Sequence, residues 1–123
     1  MAIIPKLPDA ELMIMNIVWR GESETTSAQI TKTLEGQKDW TITTILTFLS
    51  RLVERGFLTV RKEGRQNFYT AAIEESAYVE SESKTFLQRL HGNSLTSLVA
   101  ALYDGKAVNK ADLEELKAYI DGR

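Results

Sequence analysis

A mainly α fold carrying one small β-hairpin is predicted by three features of the chain. Apolar residues recur at helical spacing over most of its length, and one stretch, FLTVRKEGRQNFYTAAI, changes to a period of two. Glycines and short polar runs punctuate the segments. In order, residues 9–20 place Leu12, Met15 and Trp19 on one helical face with Ile14 and Val18 beside them. Pro8 and Asp9 are good starting residues, and Gly21 stops this helix. Residues 22–27, ESETTS, read as a polar loop, with Ser27 as the N-cap of the short helix AQITKTLEG. There Ile30 and Leu34 form the core pair and Gly36 is the terminator. After the loop QKDW, residues 41–55 form the most regular helix, closed by Gly56.

The period-two stretch resolves into a strand over 57–62, a turn over 62–65 and a returning strand over 66–72 that carries Phe68 and Tyr69. Three close-spaced helices followed by such a hairpin describe a winged helix-turn-helix, here assigned to residues 1–72. Residues 73–123 are predicted to be a helical arm. A polar helix over 74–91 shows an apolar stripe of Val79, Phe86, Leu87 and Leu90, and Gly92-Asn93 break it. Leu95, Leu98, Val99 and Leu102 repeat over a second short helix ended by Asp104-Gly105. Asn109 caps a third, with Leu113, Leu116 and Ile120 on one face and Asp112, Glu114 and Glu115 near its positive end. Narrow stripes on short helices enclose no core, so the arm is expected to pair with a second copy of itself as a homodimer.

Composition narrows the function classes. The chain has 123 residues and no cysteine, which excludes a disulfide framework and thiolate metal sites. No apolar run approaches ~18 residues, and the N-terminal segment shows no signal-peptide pattern, so a cytoplasmic location without a membrane partner is expected. His91 is the only histidine, which leaves no pair or triad for metal binding or proton relay. The carboxylate pairs Glu74-Glu75 and Glu114-Glu115 are adjacent in sequence, as expected of solvated helix surfaces. The glycines lack phosphate-loop spacing. Trp19 and Trp40 read as core or rim aromatics. No catalytic residue, cofactor or metal is expected, and the chain does not read as an enzyme.

The formal charge of −2 conceals an asymmetry, since residues 51–65 hold Arg51, Arg55, Arg61, Lys62 and Arg65 against Glu54 and Glu63. Local positive charge, not the total, governs contact with nucleic acid. On the third helix, Ile45, Phe48, Leu49, Leu52 and Val53 cluster on one side, assigned to the core. Thr43, Thr44, Thr47, Ser50, Arg51 and Glu54 occupy the other, with Leu46 on the border. Threonine disfavours helix, so this face is not built for helix stability. Short hydroxyl side chains let a helix enter a groove closely, and threonine or leucine methyls can touch thymine methyls. The plainer alternative is a polar face whose hydroxyls cap or back-bond to their own helix. Arg61, Lys62 and Arg65 on the hairpin read as a wing that grips phosphates, or else as turn charges shown to water.

The strings NIVW, KDWTITTILTFLSRLVERGFL, KEGRQNFYT and SKTFLQRLHGNSLTSLVAALY resemble the penicillinase-repressor (BlaI/MecI) family of bacterial regulators, over nearly the whole chain and in the family's order. The resemblance implies a homodimer that binds a dyad-symmetric operator duplex and blocks transcription, its C-terminal helices interlocked with those of the partner. It places the DNA-contacting stretch at Thr43, Thr44, Leu46, Thr47 and Arg51. Characterised members commonly carry arginine where Leu46 stands here. The resemblance also implies induction by a regulatory protease that cuts an Asn-Phe bond in the arm; the matching positions here are Ala101 and Leu102. Copper-responsive relatives carry a C-terminal cysteine pair that this chain lacks. Two alternatives stay open: a winged-helix protein-interaction module, and a ligand-responsive DNA-binding regulator without proteolytic induction.

Overall fold

Short-range signals set most element boundaries, and the computed structural model, which describes residues 4–123, shows how each is closed. Helix α1 spans Asp9–Arg20, α2 Ser27–Leu34 and α3 Ile42–Glu54. Strands β1 (Thr25–Thr26), β2 (Leu58–Glu63) and β3 (Gln66–Ala71) form an antiparallel sheet in the order β1-β3-β2. Helices α4 (Glu75–His91), α5 (Leu95–Asp104) and α6 (Lys110–Asp121) complete the chain. No helix among the described residues is long and apolar enough to cross a membrane.

The described residues up to Ser81 form the first of two compact units. Its core joins Ile14, Met15 and Val18 of α1, Ile30 and Leu34 of α2, and Ile45, Leu49 and Leu52 of α3 to Phe57, Leu58, Tyr69 and Tyr78. The most buried face of α1 is Glu11, Ile14, Met15 and Val18, while Leu12 and Trp19 lie at its margin. The expected stripe is thus rotated, because the charged Glu11 hides the i, i+3, i+4, i+7 pattern it belongs to. Glu11 is tolerated inside because Arg55 pairs with its carboxylate.

The loop expected over 22–27 contains β1, whose Thr25 and Thr26 pair with Tyr69 and Phe68. Two residues are too few to show periodicity, and the strand exists only through its partner. Thr26, not Ser27, caps α2: its Oγ1 accepts from the Gln29 N–H at 3.2 Å, and its own N–H donates to Gln29 Oε1 at 2.8 Å. The hairpin loop is tighter than expected, only Gly64-Arg65, since Glu63 and Gln66 are already paired. Gly64 takes φ +63°, at the first loop position that a type II′ turn reserves for glycine.

The first unit reaches past the expected division at residue 72. The Leu7 N–H donates to the Tyr78 hydroxyl at 2.9 Å, and the Tyr78 ring lies 5.8 Å from both Trp19 and Phe57. Trp19 Nε1 donates to the Ile73 carbonyl at 2.9 Å. The first turn of α4 therefore belongs to the winged core.

In the second unit, residues 82–123, no residue is buried. Its helices are well closed all the same. Ser94 caps α5, Asn109 and Asp112 form a reciprocal capping box on α6, and His91 Nδ1 lies 2.9 Å from Ser97 Oγ. Local hydrogen bonding defines these helices, while their apolar faces stay open.

Candidate nucleic-acid interface

Helix α3 is held by its ends and by one face. The Thr41 hydroxyl oxygen accepts from the Thr44 N–H at 3.2 Å at the start. At the other end Gly56 N–H donates to Val53 O at 3.1 Å and Phe57 N–H to Leu52 O at 2.9 Å, with Gly56 at φ +84°. This pair of bonds is a Schellman closure, which needs a left-handed residue and so favours glycine. It turns the chain at once into β2 and delivers Phe57, fully buried, to the core. Ile45, Leu49 and Leu52 point inward, and Trp40 packs edge-on against Phe48 at 5.1 Å. With that face anchored, the other is presented to solvent.

On the outer face Thr43, Leu46, Thr47, Ser50, Arg51 and Glu54 are exposed and Thr44 is half-buried. Leu46, expected on the border, is 39% exposed, and Ile42, which periodicity did not single out, is 45% exposed. The available sign of Ile42 was a β-branched apolar residue at a helix start with no core partner in register. The hydroxyls are partly turned to their own helix: Thr47 Oγ1 donates to the Thr43 carbonyl at 3.0 Å, and Thr41 Oγ1 to Thr44 Oγ1 at 3.1 Å. The back-bonding alternative therefore holds for part of this face.

The basic cluster is also partly committed. Arg55 is taken up by Glu11. Arg61 forks onto Glu24 at 2.9 and 3.1 Å, reaches Glu63 at 2.8 Å and lies 4.5 Å over the Phe68 ring. The Arg61 hydrogen bond holds the Glu24 carboxyl below its ordinary range, and Glu24 and then Glu63 hold the Arg61 guanidinium above its own. Arg61 is thus no free phosphate ligand, because the strand alternation puts it on the side of Glu24, Glu63 and Phe68. Arg51, Lys62 and Arg65 are exposed and form no ion pair among the described residues. Lys62 lies within β2, not in the turn, and Arg65 sits in the two-residue loop.

In the second unit the residues expected to pair two copies are all at least partly open. Leu90, Leu95 and Ile120 are more than half exposed. Phe86, Leu102 and Leu116 are also exposed, and Leu87, Leu98, Val99 and Leu113 are half-buried. Ala101 and Leu102 lie exposed within α5.

A three-helix core, a two-stranded wing and an outward helix face free of carboxylates from Ile42 to Arg51 define a winged helix-turn-helix protein. The family described as penicillinase repressor matches residues 7–122. The penicillinase repressor of Bacillus licheniformis is 36% identical over 96% of this chain and 91% of its own length. The methicillin resistance regulatory protein MecI of Staphylococcus aureus (strain N315) is 29% identical over 94% of each. The solution structure of the DNA-binding domain of the repressor BlaI matches with 40% identity and a TM-score of 0.55, covering 63% of this chain and 94% of that one. The monomeric form of Bacillus licheniformis BlaI, in complex with the blaP half-operator, matches with 40% identity and a TM-score of 0.51, over 61% of this chain and 90% of that one. The chain belongs to the penicillinase repressor family, a family of DNA-binding repressors and not of enzymes.

Proposed function

We propose that this protein is a homodimeric transcriptional repressor that lays α3 into the major groove of each half of a dyad-symmetric operator. The observation that carries this reading is the outer face of α3, where no carboxylate interrupts residues 42–51, with Arg51 on that face and Lys62 and Arg65 exposed on the wing, none of the three in an ion pair among the described residues. A polyanion is the partner such a surface accepts. Thr43, Thr44, Leu46, Thr47, Ser50 and Arg51 act as the groove-facing set, and Lys62 and Arg65 as the wing's backbone contacts. The relative solved on its half-operator supports DNA binding as the role of the winged unit.

Dimerisation is the role of the arm from residue 73 onward. Its apolar stripes stay open in the single chain, and exposed patches of this kind mark an interaction surface. Linking two winged units makes the second half-site contact intramolecular, and this multiplies affinity without any new contact. Cleavage at Ala101–Leu102 by a regulatory protease relieves repression by removing α6 and the end of α5, and with them the apolar contacts between copies. The bond lies inside a helix, so the protease must first unwind it locally.

A mobility shift with the promoter of the protein's own operon tests the reading at ~150 mM salt. A palindromic site retarded in preference to random duplex, with affinity falling steeply as salt rises, is the expected result. Equal retardation of all duplexes would overturn it.

A further inference from the structure

We propose that the recognition helix selects its half-site through thymine methyl groups, with Ile42 and Leu46 as the specificity-determining residues; this rests on the DNA-binding reading above. Ile42 and Leu46 are 45% and 39% exposed, on a helix whose other large aliphatic residues are buried or half-buried. Neither contributes to the buried core. They stand four residues apart, so their Cβ atoms are about 6 Å from each other on one face. That separation spans two base-pair steps of roughly 3.4 Å.

The polar groups around them point the same way. Thr47 donates its hydroxyl proton to the Thr43 carbonyl and Thr41 donates its own to Thr44 Oγ1. Thr47 therefore keeps a methyl group and acceptor lone pairs for a ligand, but no free donor. Arg51 is the only side chain between residues 42 and 51 able to make a forked pair with guanine. The face thus presents the exposed side chains of Ile42 and Leu46 and the methyl groups of Thr43 and Thr47, beside the hydroxyls of Thr43 and Ser50. The 5-methyl of thymine is the one apolar group that the bases display in the major groove. Thymines on neighbouring or next-neighbouring base pairs are the matching chemistry, and a guanine under Leu46 would face a side chain with nothing to bond it.

The test uses the full chain and needs no variant at its first step. Duplexes are enriched from a random pool, and each thymine of the enriched half-site is replaced in turn by deoxyuridine, which removes only the methyl. The expected result is a loss of about fourfold in affinity per methyl at one or two positions of each half-site. Leu46→Ala and Ile42→Ala should each abolish the uracil effect at one of these positions and leave the effect at the other. Sequence-specific binding that ignores uracil at every position overturns the methyl readout and leaves the repressor reading standing. No enrichment and no binding even at ~50 mM salt overturns both.

Discussion

Arg61 on β2 grips Glu24, 37 residues earlier, with Nε to Oε2 at 2.9 Å and Nη2 to Oε1 at 3.1 Å. This fork ties the wing to the segment just ahead of β1, and it withdraws from the wing the charge that composition would have counted as free. Because the Arg61 hydrogen bond lowers the Glu24 pKa below the ordinary value of 4.5, the contact contributes fully above that value. It is lost as pH falls through the depressed folded-state value. A carboxyl NMR titration should find Glu24 titrating below 4.5, and Arg61→Gln should move it back up. An unchanged Glu24 titration in the variant would show that the fork does not persist in solution.

Glu11 is 2% exposed and has Arg55 as its ion-pair partner. Arg55→Ala strands a buried carboxylate, so the winged unit should lose about 2 kcal/mol, below the ~3–5 kcal/mol of a fully buried pair because Arg55 itself is partly exposed. The combined change of Glu11→Leu with Arg55→Met should recover most of this. Urea denaturation of the three proteins checks both statements.

Arg65 sits at the wing tip, and Thr47 is on the outer face of α3. Arg65→Ala is expected to weaken all duplexes alike and to reduce the slope of log affinity against log salt by about one. Thr47→Ala should change which sequences are preferred, with little change in that slope. A panel of duplexes measured at several salt concentrations separates the two. A uniform loss in both variants would refute the division of labour.

Leu90 and Ile120 are 63% and 55% exposed in the single chain. Replacing both with glutamate is expected to leave a folded monomer with a native circular-dichroism spectrum. Full-operator affinity should fall by about 100-fold or more while half-site binding persists. Light scattering reads the oligomeric state directly, and a wild-type chain that is already monomeric at working concentration would overturn the dimeric reading.

Glutamate at residue 11 illustrates how a sequence misleads. Periodicity places α1 from Asp9 to Arg20 correctly, yet it chooses the stripe through Leu12 and Trp19, because the residue at the true centre carries a charge. The burial of that charge depends on Arg55, far away in the chain. Thr25–Thr26 fails for a related reason, since a two-residue strand has no period of its own and exists only as a partner for β3. The same holds at the site. The outward face of α3 was readable from the side chains that had to be inside, whereas the commitment of Arg61 to Glu24 was not.

Most helix ends, the hairpin and the core face of α3 were legible in the chain alone, because caps, glycine turns and periodicity act over a few residues. Family membership was legible too, through ordered strings spanning nearly the whole length. Folding in three dimensions decided which of the five basic residues from Arg51 to Arg65 remain free, which hydroxyls are committed to their own helix, and that Tyr78 belongs to the winged core. Those outcomes depend on groups brought together from distant parts of the chain, where charge pairing and burial are properties of proximity and not of order.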